Sequence, residues 1–171
     1  MSTAEASVVA SDKTAGALAL GFLTVLREAN GYVGGYLVVN GWGRPLEFRL
    51  TSAVQPNRVQ QILYGGTLEP YVCADLIGKT LVEKAGVPVQ LVLTDREEVL
   101  DLRLKIEAPV AWLAPAAGGR GPVKCHPRFE ADAAAVRGLL DRLDAAFDLT
   151  EPFQRVREAV AEARKMGVAA R

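Results

Sequence analysis

Cysteine and histidine are scarce in this chain: Cys73 and Cys125 are the only thiols and His126 the only imidazole among 171 residues. Two thiols do not make a disulfide framework, and a reduced cytoplasmic setting is the simpler expectation. A zinc centre needs about four ligands, more than Cys125, His126 and a distant Cys73 supply, so no resident metal is expected. Neither a second histidine nor a Gly-x-Ser-x-Gly elbow is present, which excludes a Ser-His-acid hydrolase. Cys125 and His126 are sequence neighbours, whose side chains rarely face each other as a catalytic pair must, and they read as a loop pair.

An excess of charge is missing too. The 20 basic and 20 acidic side chains cancel, so counterion release gives no general drive toward nucleic acid or an anionic membrane. A local basic patch is the one remaining route to nucleic acid. The apolar run from Ala15 to Leu26 holds 12 residues, too few to span a bilayer as a helix, and no membrane association is expected. Glu5, Asp12 and Lys13 precede that run, a poor match to the basic leader of a secreted protein.

Half of the residues are hydrophobic, enough for one domain with a real core. Residues 1–14 are rich in Ser, Ala and Thr without an apolar period and read as a flexible N-terminus. Leu20 to Leu26 is apolar on both alternating faces, as in a strand covered on two sides. Glu28-Ala29-Asn30-Gly31 supplies a turn, Tyr36 to Val39 a second strand, and Gly41-Trp42-Gly43-Arg44-Pro45 another turn. Leu46 to Thr51 alternates cleanly as a third strand. Short turns between the three favour an antiparallel meander.

Pro56 suits the first turn of a helix whose Val59, Ile62 and Leu63 share one face. Gly65-Gly66 interrupts it. A second helix begins near Thr67, with Leu68, Val72, Leu76, Ile77 and Leu81 as its apolar stripe and Gly86 at its end. Val87 to Leu93 reads as a buried strand. Asp95 with Glu98 resembles a capping box for a short helix through Leu102, and Ile106 to Leu113 reads as a fifth strand interrupted by Pro109. Residues 114–128, with three prolines and three glycines, form a connector. A C-terminal helical pair follows in residues 129–171: one helix carrying Phe129, Val136, Leu139, Leu140, Leu143 and Phe147, and a second, capped near Thr150, carrying Phe153, Val156, Val160 and Ala163.

Over about residues 20–113, within an expected α/β core of residues 15–113, this order resembles the ribonuclease-H-like superfamily, whose fold is three antiparallel strands, a helix, a parallel strand, a helix, another strand and a closing helix. Gly34-Gly35-Tyr36 opening the second strand, Asn57-Arg58 before the first helix and Thr94-Asp95 at the end of the fourth strand carry the likeness. The resemblance implies an α/β fold with a mixed five-stranded sheet. In active members it implies clustered carboxylates that hold two divalent ions around a phosphodiester. Of those carboxylates only Asp95 has a counterpart here. Thr24, Val25 and Leu26 stand on the opening strand, with Glu28 as the nearest acid, and Gln60 stands inside the first helix. An amide oxygen is a weaker ligand for a hard cation than a carboxylate.

The candidate residues are therefore few. Asp95 lies where α/β folds place ligands, although its spacing to Glu98 favours a helix cap. Glu47 and Arg49 share a strand face and read first as a mutually paired surface couple. Trp42 and Arg44 at a hairpin tip, with Arg49, are the binding candidates, the Trp42 ring either offered to a partner or folded back over the sheet. Gly78-Lys79-Thr80 lacks the first glycine of a phosphate-binding loop, Cys73 standing there, and sits inside a helical stripe. The expectation is a non-catalytic binding or assembly module that takes a protein partner or self-associates, without a cofactor. The alternative is a divergent nuclease or phosphotransferase in which Asp95, with Glu28 or Glu47, holds Mg²⁺ or Mn²⁺.

Overall fold

The computed structural model describes residues 15–114, 122–143 and 145–167; the expected flexible N-terminus and half of the expected connector lie outside them. The first nine-residue strand, β1 (Leu20–Glu28), turns at Ala29-Asn30 into an equally long β2 (Gly31–Val39), and β3 (Pro45–Leu50) completes an antiparallel meander. β4 (Leu91–Thr94) then lies parallel to β1, β5 (Val110–Leu113) parallel to β4, and β6 (Val123–Cys125) antiparallel to β5. The sheet is mixed and six-stranded, in the order β3-β2-β1-β4-β5-β6. The expected five strands become six because the connector's last residues pair along β5.

Gly34 and Gly35 stand within β2 rather than opening it. The reason is packing on both faces. A Cβ on Gly34 would collide with the Ile77 side chain, while one on Gly35 would lie 2.6 Å from Val156 Cγ1 and 2.8 Å from Val160 Cγ2. Two helical layers thus approach opposite sides of the same strand more closely than any larger residue permits.

One layer begins with α1 (Arg58–Tyr64), entered through a capping box in which the Asn57 side chain accepts from the Gln60 N–H and Gln60 accepts from the Asn57 N–H. A 3-10 turn, Gly65–Thr67, and an α-turn, Leu68–Pro70, lead into a π-helix, Tyr71–Gly78, and then α2 (Lys79–Lys84). The wider π winding accounts for the five-residue step in the stripe from Val72 to Ile77, both of which are fully buried. Against Leu23, Val25, Tyr36, Val38 and Val92 of the sheet, this layer forms one half of the core.

The other half is built from Leu20, Phe22, Val33, Leu37, Leu91 and Leu93 against the C-terminal helices. These are α3 (Asp132–Leu140) and α4 (Glu151–Lys165). Phe129, Leu143 and Phe147, expected on one helix, fall outside α3. Phe22 nevertheless gathers the segment: its ring meets Phe147 at 6.2 Å and Phe153 edge-on at 5.2 Å. Thr150 makes no side-chain cap to α4; Asp148 instead accepts its N–H and hydroxyl. Phe153, Val156 and Val160 are buried against the sheet. The apolar face of α4 is therefore spent inside the chain and is not available for docking a second copy.

α1 behaves in the opposite way. It has no buried residue, and Val59, Ile62 and Leu63 are 62 %, 63 % and 77 % exposed. The face these three residues share points outward, and α1 is held to the body near its end, where Tyr64 stacks on Tyr71 at 4.1 Å. No helix among the described residues is long and apolar enough to cross a membrane.

The two glycine environments give opposite expectations. Gly35→Ala should lower the unfolding free energy by about 1–3 kcal/mol, as overpacking does. Gly138→Ala, inside α3 with open space where a Cβ would stand, should raise it by up to about 1 kcal/mol. Urea unfolding of both variants checks this, and equal midpoints would contradict it.

Candidate functional site

β4 ends at Thr94, opposite Leu23 of the longer β1, and the carboxyl end of such a central parallel strand is where an open α/β sheet offers ligand positions. Thr24, fully buried in β1, and Asp95, one residue beyond β4, point to the α4 side. The Thr24 hydroxyl donates to Asp95 Oδ1 at 2.6 Å, and Arg157 Nη1 of α4 donates to Asp95 Oδ2 at 2.7 Å. Asp95 does not cap the helix that follows. That helix is a 3-10 run, Glu97–Leu104, with Arg96 at its N-cap and no side-chain cap bond. The local job falls to Thr94, whose hydroxyl accepts the Arg96 N–H.

On the other side of the same strand ends lies a second charged group. Arg96 donates through Nη1 to the Val25 carbonyl at 3.2 Å, through Nη2 to Glu69 at 2.9 Å, and through Nε to Glu98 at 3.4 Å. Glu69 also accepts from Arg27 at 3.0 Å and from the Tyr32 hydroxyl at 3.1 Å. Burial, then the bond to Glu69, raises the Tyr32 pKa above its ordinary value. Two arginines face two glutamates here, so the group is neutral as a whole.

The remaining candidates are dispersed. Glu28 is the last residue of β1 and is exposed, inside the strand rather than past its end. Glu47 accepts the N–H groups of Gly86 and Val87, at 2.9 Å each, and the Arg49 Nε at 2.7 Å. Those two backbone donors, with Arg49 adding to them, hold its carboxyl below the usual range. Gln60, where the resemblance places a second acid, is spent in the α1 capping box. Among the described residues no three His, Cys, Asp or Glu side chains come together as a metal would require.

Trp42 is 46 % exposed and lies over Gly16, where an added Cβ would be 2.9 Å from its ring. The ring thus packs back on the chain while one part stays open, beside an exposed Arg44. Cys125 and His126 do not face each other as a pair. Cys125 packs against the core; the buried His126 accepts the Arg128 N–H at Nδ1, leaving Nε2 to donate to Asp101 at 3.1 Å. Burial pushes the Cys73 thiol up to about 12, which makes it inert.

The residues that sequence reasoning does not find are Arg157, Arg96, Glu69 and Tyr32. Arg157 meets Asp95 across 62 positions, and nothing in its local pattern marks it apart from the other arginines of α4. No family model, curated protein or solved structure matches the chain.

The lowered pKa of Glu47 fixes a sign. Its folded value lies below its unfolded one, so the anion's contribution is complete above the unfolded value and is lost as pH falls through the folded value. Wild type should be more stable than Glu47→Gln at neutral pH, and the two urea midpoints should converge as pH falls through the carboxylate range. Parallel curves would contradict the assignment.

Proposed function

We propose that this chain is a non-catalytic binding or assembly module on a ribonuclease-H-like scaffold. The scaffold reading is supported by the meander of β1 to β3 followed by parallel β4 and β5, with a helical layer on each face. Its non-catalytic character follows from the strand ends. Two-metal phosphodiester chemistry needs several carboxylates directed at one point. Here Asp95 is bonded by Thr24 on one oxygen and by the Arg157 guanidinium on the other. A fixed cation already neutralises the one acid that matches the resemblance, and Glu28 and Glu47 are engaged elsewhere or exposed.

The observation that carries the binding reading is α1. Val59, Ile62 and Leu63 form a contiguous apolar face on a helix that buries none of its residues. Such a face costs solubility when left bare and marks an interaction surface. Its neighbours Arg58, Gln60 and Gln61 carry one charge, so the face is apolar with a thin polar border. A reduced cytoplasmic setting belongs to the same proposal, in keeping with the buried free thiol of Cys73.

Light scattering across a concentration series tests the assembly half. Wild type should associate, and Ile62→Glu should be monomeric with the urea midpoint of wild type diluted to its monomeric form, because Ile62 supports no core. A wild type that stays monomeric throughout overturns self-association through α1. Incubation with RNA, DNA and hybrid substrates in Mg²⁺ or Mn²⁺ tests the other half: no cleavage is expected. Metal-dependent cleavage that vanishes in Asp95→Asn would overturn the non-catalytic reading and favour the nuclease alternative.

A further inference from the structure

The outer edge of the sheet at β3 differs in chemistry from α1. Among the described residues β3 pairs with a strand on one side only, with β2. The Thr51 N–H bonds to the Gly34 carbonyl at 3.0 Å. By antiparallel alternation, the main-chain groups of Arg49 and Glu47 also point toward β2, opposite Tyr36 and Val38. Those of Phe48 and Leu50 then point away from the sheet. Their side chains pack into the core beneath α4, so what they give the edge is backbone N–H and C=O.

Beside this backbone row runs a cleft of about 430 Å³ between β3 and α2, lined by Phe48, Arg49, Leu50, Thr51, Thr80 and Lys84 among others. Its charged lining residues are Arg49 and Lys84, both cationic. Glu47, the partner of Arg49, has its carboxylate committed to Gly86, Val87 and the Arg49 Nε, and among the described residues neither Arg49 Nη is bonded. Lys84 is exposed at the end of α2 and makes no ion pair among the described residues. At the start of the edge Pro45 opens β3 and the register shifts at Val38/Val39, both of which blunt an edge. From Phe48 to Leu50 the edge is regular.

We propose that an extended polypeptide segment bearing an acidic side chain adds to β3 as a further strand, its carboxylate entering the Arg49–Lys84 cleft. The main-chain bonds come from Phe48 and Leu50. The specificity comes from geometry: a residue directly opposite Arg49 projects to the same face as Arg49, the face on which Thr51, Thr80 and Lys84 line the cleft. An acidic residue there meets the Arg49 Nη fork and the Lys84 ammonium, whereas a basic one meets two like charges. Strand addition of this kind takes affinity from backbone pairing and selectivity from alternate side chains. This names one partner class for the binding module proposed above and rests on that reading, through a surface separate from α1.

Fluorescence anisotropy with the full chain tests it, using a labelled hexapeptide of alternating Val and Thr with one central Glu. Two analogues accompany it, one with Lys in place of Glu and one N-methylated at alternate amides. The Glu peptide should bind; both analogues, and the Glu peptide on Lys84→Glu, should bind at least about tenfold more weakly, the factor that corresponds to ~1.4 kcal/mol. Lys84→Glu should keep the wild-type urea midpoint. Equal binding of Glu and Lys peptides, an N-methylated analogue as good as the parent, or no binding by wild type would each overturn the proposal. Failure here with Ile62→Glu still abolishing association removes only the β3 partner. Metal-dependent nuclease activity removes the module reading whatever the peptide does.

Discussion

The constraint on which the rest depends is that β2 is covered closely on both faces at adjacent residues. Gly34 admits Ile77 from one side and Gly35 admits Val156 and Val160 from the other. Two layers can seat this near to one strand only where no Cβ intervenes. That seating sets the position of α4 along the sheet. With Val156 lodged over Gly35, the next residue, Arg157, reaches the end of β4 and closes on Asp95 at 2.7 Å. Backbone economy in the middle of β2 thereby decides the electrostatics at the strand ends.

Those electrostatics turn the chemistry inward. At the carboxyl ends of β1 and β4, where an α/β enzyme holds its reacting groups, the charges satisfy one another: Arg157 on Asp95, Arg96 on Glu69 and Glu98, Arg27 on Glu69. What remains outward-facing is of another kind. α1 offers an apolar face, and the β3 edge offers backbone and two cations. On the proposed reading each is a surface for another chain.

The sequence is clearest where one period dominates. The double-sided apolar run of β1 and the strict alternation of β3 carry over into strands, whereas of the run Val87 to Leu93 only Leu91 to Leu93 does, with Thr94 added; Pro109 marks the start of β5 at the residue that follows it. Legibility fails where one residue type has two physical uses. Gly34-Gly35 reads as an entry to a strand because glycine favours turns, yet here it serves close packing. Val59, Ile62 and Leu63 share one helical face in the sequence, but periodicity reports amphipathicity and not what covers it. β6 hides behind a proline- and glycine-rich segment with only three residues of its own. Asp95 and Glu98 have capping-box spacing, but a buried Thr24 and a long-range arginine compete for the carboxylate and win. Such a contact leaves no trace in local spacing.

The central proposal is that the Thr24 hydroxyl and the Arg157 guanidinium hold the Asp95 carboxylate and that no divalent ion binds at these strand ends. Paramagnetic broadening by Mn²⁺ in a ¹H–¹⁵N spectrum of the whole chain tests this most directly. The account predicts that the amides of Thr24, Asp95 and Arg96 keep their intensity as Mn²⁺ is added. Selective loss of those resonances at low Mn²⁺, reversed by excess Mg²⁺, would contradict it.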